Sequence, residues 1–124
     1  MTPYQRIQAI CLALPEAEER PTWEVRTFRV RDKIFAMYGD DAEGVRVTCK
    51  APPGVQQILV GSDPARFYVP AYVGHKGWIG IRLDEAADWA EIGSLIERSW
   101  RMTAPKKLLS PGAEPSRPAR RGKT

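Results

Sequence analysis

Apolar residues recur at Tyr4, Ile7, Ile10, Cys11 and Leu14, steps of three and four that predict a short amphipathic helix. Thr2 is placed to cap it and Pro3 sits at the first helical position, where a missing N–H costs nothing. Gln5, Arg6 and Gln8 fall on the wet side, and Pro15 ends the segment. Glu16 to Trp23 is acidic and contains Pro21, which suits an edge segment or loop. The period then shortens to two. Thr27 to Arg31 places Phe28 and Val30 inward and Thr27, Arg29 and Arg31 outward. Asp32-Lys33 reads as a tight turn into Ile34 to Tyr38, which is apolar on both faces and so belongs in the middle of a sheet. Gly39-Asp40-Asp41 reads as the next turn, and Val45 to Lys50 alternates again, with Val45, Val47 and Cys49 inward and Arg46, Thr48 and Lys50 outward. Connections this short predict an antiparallel meander.

Pro52-Pro53 opens a second predicted helix through about Val60, on Val55, Ile58 and Leu59 with Gln56 and Gln57 exposed, and Gly61-Ser62-Asp63-Pro64 breaks it. Trp78 to Leu83 is a further strand, with Ile79, Ile81 and Leu83 toward a core and Trp78, Gly80 and Arg82 away from it. Asp88 and Glu91 mark the start of the last helix, whose inner stripe is Ile92, Leu95, Ile96 and Ser99 with Trp89 and Trp100 flanking; Pro105 stops it near Thr103. Counting faces, the pattern predicts a two-layer α+β domain, a mainly antiparallel sheet of about four or five strands with about three helices on one face. The domain spans 1–109. Residues 110–124 carry Pro, Arg, Ser and Gly without apolar periodicity and are expected to be a disordered basic tail.

Composition narrows the setting. A chain of 124 residues, 43% hydrophobic and 27% charged, suits one soluble domain. No apolar run approaches the roughly 20 residues that a membrane helix needs, and Met1 to Arg6 lacks a signal peptide's apolar centre. Cys11 and Cys49 are too few for a disulfide framework and fall on inward positions, so the expectation is a cytoplasmic protein with buried, reduced thiols. The formal charge of +4 has a local origin. From Ala104 onward stand six cations against Glu114 alone; without them the 19 basic and 15 acidic residues become 13 and 14. Net charge therefore does not make the body a nucleic-acid binder; only a clustering of its cations would.

The outward strand positions supply one such cluster: Thr27, Arg29, Arg31, Arg46, Thr48, Lys50, Trp78 and Arg82, with acidic residues assigned mostly to loops and helix surfaces. The same pattern is also what a solvated strand face looks like, where charge discourages edge pairing. Two readings of Trp78 stand, a surface indole beside His75, Lys76 and Arg82, or a core side chain covered by a loop or helix. Catalytic patterns are missing. His75 is the only histidine, and Cys11, Cys49 and His75 lack ligand-type spacing. Gly74-His-Lys-Gly77 lacks the phosphate-loop spacing and precedes a strand rather than a helix, and no serine lies in an elbow sequence. The chain is thus read as a non-enzyme without cofactor or metal.

The run Phe67-Tyr-Val-Pro-Ala-Tyr-Val-Gly-His-Lys-Gly-Trp-Ile-Gly-Ile-Arg-Leu-Asp84 resembles the signature of the MmcQ/YjbR family of small bacterial proteins. Leu14-Pro15, Phe28-Arg-Val followed by Lys33-Ile-Phe-Ala, and Ser99-Trp with Ala104-Pro-Lys-Lys fit the same family, and the likeness covers about residues 4 to 109. The resemblance implies an α+β fold compared with secretion-chaperone-like and frataxin-like architectures, and a DNA-binding role assigned to a double-wing surface. On that basis DNA is the expected partner, contacted by Arg46, Lys50, His75, Lys76, Trp78, Arg82, Lys106 and Lys107. The alternatives are a protein-interaction module using the same face and, third, an uncharacterised enzyme. No membrane partner is expected.

Overall fold

A computed structural model describes residues 1–22 and 25–109. The expected tail, 110–124, lies outside them. Helix α1 (Pro3–Leu12) starts as its sequence dictates: Thr2 Oγ1 accepts from the Gln5 amide at 3.1 Å while Gln5 Oε1 accepts from the Thr2 amide at 3.0 Å, closing a capping box. Four strands follow, β1 (Ala17–Pro21), β2 (Val25–Val30), β3 (Lys33–Asp41) and β4 (Gly44–Cys49). After them come α2 (Val55–Ser62), β5 (Phe67–Tyr68), a 3-10 turn (Gly74–Lys76), β6 (Ile79–Arg82), α3 (Trp89–Thr103) and the short α4 (Lys106–Leu109).

The sheet has six strands, all neighbours antiparallel, in the order β1-β2-β3-β4-β6-β5. This is one or two more than the alternation predicts. The additions are at the margins: β1 takes the Pro21 segment as an edge strand, and β5 is only two residues long, too short for periodicity to register. Directly opposed residues share a face, so Phe28, Ala36, Cys49 and Ile79 form one row, and Tyr38, Val47, Ile81 and Phe67 the next. Against these rows α3 lays Ile92, Leu95, Ile96, Ser99 and Trp100, and α1 lays Ile7 and Cys11. Ser99 Oγ ties the layers together, donating to Phe35 O at 2.6 Å and accepting from the Lys50 amide at 2.9 Å.

A register shift between Phe28 and Arg29 explains why consecutive residues of β3 are apolar. The bulge lets neighbouring Phe35 and Ala36 both reach the core. Three local expectations need correcting. The hairpin turn before β3 is Arg31-Asp32, both with positive φ (49° and 71°), not Asp32-Lys33. Gly39-Asp40-Asp41 is strand, because β3 pairs with β4 out to Asp41 opposite Gly44, and the chain reverses at Ala42 and Glu43. In α2 the wet and dry assignments exchange: Gln56 is buried and Ile58 is 66% exposed.

Candidate functional site

The eight expected contact residues separate into three places. Lys50, His75, Lys76 and Trp78 gather at one end of the sheet, where β4 finishes and β6 begins. The 3-10 turn presents His75 and Lys76 to solvent, and Gly77, with φ 88°, turns the chain into the strand. Trp78 does not lie on the surface. It is 8% exposed, outside the main core cluster but covered, with Lys50 Nζ 5.8 Å from its ring centre. Burial pushes the Lys50 ammonium below its ordinary pKa, and the charges of Lys33 and Lys76 add to the effect. Lys33, which the alternation assigns to a turn, therefore belongs to this corner. None of Lys33, Lys50 and Lys76 has a carboxylate within ion-pair distance among the described residues.

Arg46 and Arg82 stand elsewhere. They oppose each other across β4 and β6 on the face turned away from α1 and α3. The expectation of a basic face with acidic residues mostly elsewhere fails there, because the arginines have captured the turn and edge carboxylates. Arg46 makes a two-pronged pair with Asp41 (2.7 and 2.9 Å), and Arg31 pairs with Glu16. Arg20 pairs with Glu18 and Asp32, and Arg29 lies 3.9 Å from Asp32. Arg82 donates to the carbonyls of Pro64 and Ala65 (3.1 and 3.3 Å) and stacks 4.8 Å from the Tyr68 ring centre. Thr27 and Thr48, read as outward, are in fact covered.

This face holds a cleft of ≈ 610 Å³. Met37, Gly39, Arg46 and Thr48 form its floor; Thr22 and Val25 stand on one side, Tyr68 and the Pro70–Val73 loop on the other. Two glycines make the room. The Arg46 guanidinium lies over Gly39, where an added Cβ would come within 3.0 Å of Cζ, and the Tyr68 ring occupies the space above Gly80. The sequence signal, Gly80 at an outward strand position, was present but silent about what fills the gap, and Gly39 was hidden in an expected turn.

Lys106 and Lys107 are on α4, and the charge of Lys107 reaches Glu16 beside β1. Cys11 and Cys49 are fully buried, as their positions predict, and burial raises both thiol pKa values, that of Cys49 to about 12. No cluster of His, Cys, Asp and Glu able to hold a metal occurs among the described residues. No described helix is long and apolar enough to cross a membrane.

Comparison with known proteins agrees with this architecture. A Deinococcus radiodurans crystal structure with a DUF419 domain is similar to the chain with a TM-score of 0.72 at 18% identity, covering 91% of this chain and 83% of that one. A Pseudomonas syringae protein of known structure matches with a TM-score of 0.61 at 23% identity, covering 83% of this chain and 99% of its own. At these identities the likeness is one of fold. No curated protein matches. The model of the YjbR family matches residues 12–102, a span that takes in the whole sheet, the His75–Trp78 corner and nearly all of α3. The chain belongs to the YjbR family.

Proposed function

We propose that the chain is a small DNA-binding protein whose phosphate contacts come from the lysine corner rather than from the arginines of the sheet. The observation that carries this reading is electrostatic. Lys33, Lys50 and Lys76 lie close enough that the charges of the other two add to the burial that lowers the Lys50 pKa, and no described carboxylate comes within ion-pair distance of the three. Such a cluster gains by receiving an anion, and each phosphate neutralised releases condensed counterions. Most of the sheet arginines are already paired with Asp32, Asp41, Glu16 and Glu18. Contacts of this kind fix position on a backbone without reading bases.

A salt-titrated affinity measurement with duplex and single-stranded DNA tests the reading. The Lys33→Ala/Lys76→Ala variant alters two exposed side chains and leaves the fold intact. Its log–log salt slope on duplex DNA falls by about 0.9 for each phosphate that the variant no longer neutralises. Unchanged affinity and slope remove DNA from this corner. The partner-protein reading then takes its place, supported by Tyr72 and Val69, which stand 92% and 55% exposed beside the cleft.

A further inference from the structure

We propose that the cleft on the sheet face opposite α1 and α3 is a binding site for a small organic carboxylate with a flat apolar body, held through an unused edge of Arg46. A volume of ≈ 610 Å³ lies within the range of small-molecule sites, about 300–1,000 Å³. Arg46 has five N–H groups to place. The two on Nη1 go to Asp41 Oδ1 (2.7 Å) and Gly44 O (3.0 Å), and one on Nη2 goes to Asp41 Oδ2 (2.9 Å). Nε–H and the second Nη2 proton have no acceptor among the described residues. Those two lie on one edge of the guanidinium, a fork whose geometry matches the two oxygens of a carboxylate.

The fork is held in place before any ligand arrives. Asp41 clamps the opposite edge, and the guanidinium rests on Gly39, so little side-chain freedom remains to be lost on binding. A second unmet group stands in the same wall. Tyr68 Oη is buried without a hydrogen-bond partner, with the Thr48 hydroxyl and the Arg46 charge beside it. Met37, Val25, Pro70 and Tyr72 supply apolar surface for the body of the ligand. Local charge selects against a phosphate. Asp41 and Glu43 balance Arg46 and its cross-strand neighbour Arg82, so one added negative charge is tolerated better than two.

The test is an NMR titration of the full chain with benzoate as the probe. The expected result is saturable shifts at Arg46 Nε–H and at the Gly39 and Gly80 amides, with a Kd of roughly 1 mM, as suits a ligand of so few atoms. Benzyl alcohol, which lacks the carboxylate, binds about tenfold more weakly or not at all. Arg46→Lys keeps the charge but removes the fork and weakens benzoate about tenfold. Tyr68→Phe, which keeps the ring over Gly80, weakens it by a smaller factor. Shifts that do not saturate, shifts confined to Lys33, Lys50 and Lys76, or equal binding by Arg46→Lys overturn the proposal. A negative DNA titration does not bear on it.

Discussion

The side-chain amide of Gln56 donates at 2.7 Å to the main-chain carbonyl of Trp78, from a position with only 6% exposure. The same nitrogen donates at 2.8 Å to Gly74 O, so one glutamine on α2 pins both ends of the turn that presents Lys76. Replacing it with leucine roughly keeps the volume but removes both donations; Gly74 O retains the Gly77 amide at 3.0 Å, whereas Trp78 O loses its side-chain donor. The expected cost is about 1–3 kcal/mol in denaturant unfolding, with faster amide exchange in residues 74–78. An unchanged midpoint means that the turn holds itself.

Trp78→Ala distinguishes a covered indole from a recognition side chain. At 8% exposure the ring contributes mainly packing, and its removal costs about 3–5 kcal/mol. The Lys50 ammonium is also deprived of the ring face it lies over. A variant that melts normally and fails only in ligand binding contradicts this packing.

Asp41 reports on Arg46. The Arg46 guanidinium, aided by the Glu43 amide, holds its carboxyl at about 2. A folded-state pKa below the unfolded value, about 3.9, contributes stability above that unfolded value and loses it as pH falls from about 4 through 2. In Arg46→Gln the Asp41 carboxyl, followed by carbon NMR, should titrate closer to its unfolded value, and the variant's unfolding free energy should fall less than the parent's between pH 4 and 2. A pKa that stays at about 2 assigns the shift to the Glu43 amide instead.

Cys11 and Cys49 make a third kind of check. With Cys49 raised to about 12 and Cys11 also raised, neither thiol forms thiolate near neutral pH. Both should resist alkylation in the native protein and react readily once it is unfolded. Fast native labelling of either, with an apparent pKa near 8, contradicts the burial.

Much of the fold is written in local periodicity. The α3 stripe of Ile92, Leu95, Ile96 and Ser99, the Asp88 cap, and the inward Phe28, Val30, Val47, Cys49, Ile79 and Ile81 are all legible from spacing, because a helix or strand with one buried face must repeat at 3.6 or 2. Thr2, Gln5 and Pro3 likewise set the start of α1 through interactions made within a single turn. The chain alone also placed both thiols in the core.

The candidate sites depended on groups brought together from distant positions. Arg46 found its carboxylate within its own hairpin, at Asp41, but the fate of Arg31 turned on Glu16 from the segment before β1, which only the pairing of β1 with β2 could deliver. Lys33 joined Lys50 and Lys76 because strand order sets the ends of β3, β4 and β6 side by side. Gln56 went inside and Ile58 outside in α2, where the Gln56 amide donates to the carbonyls of Gly74 and Trp78, a hydrogen-bonding demand that hydrophobic pattern does not register. The cleft exists because Gly39 and Gly80 leave gaps that Arg46 and Tyr68 cross from neighbouring strands. Alternation determines which way a residue points; what it meets there is decided by the register of its neighbours.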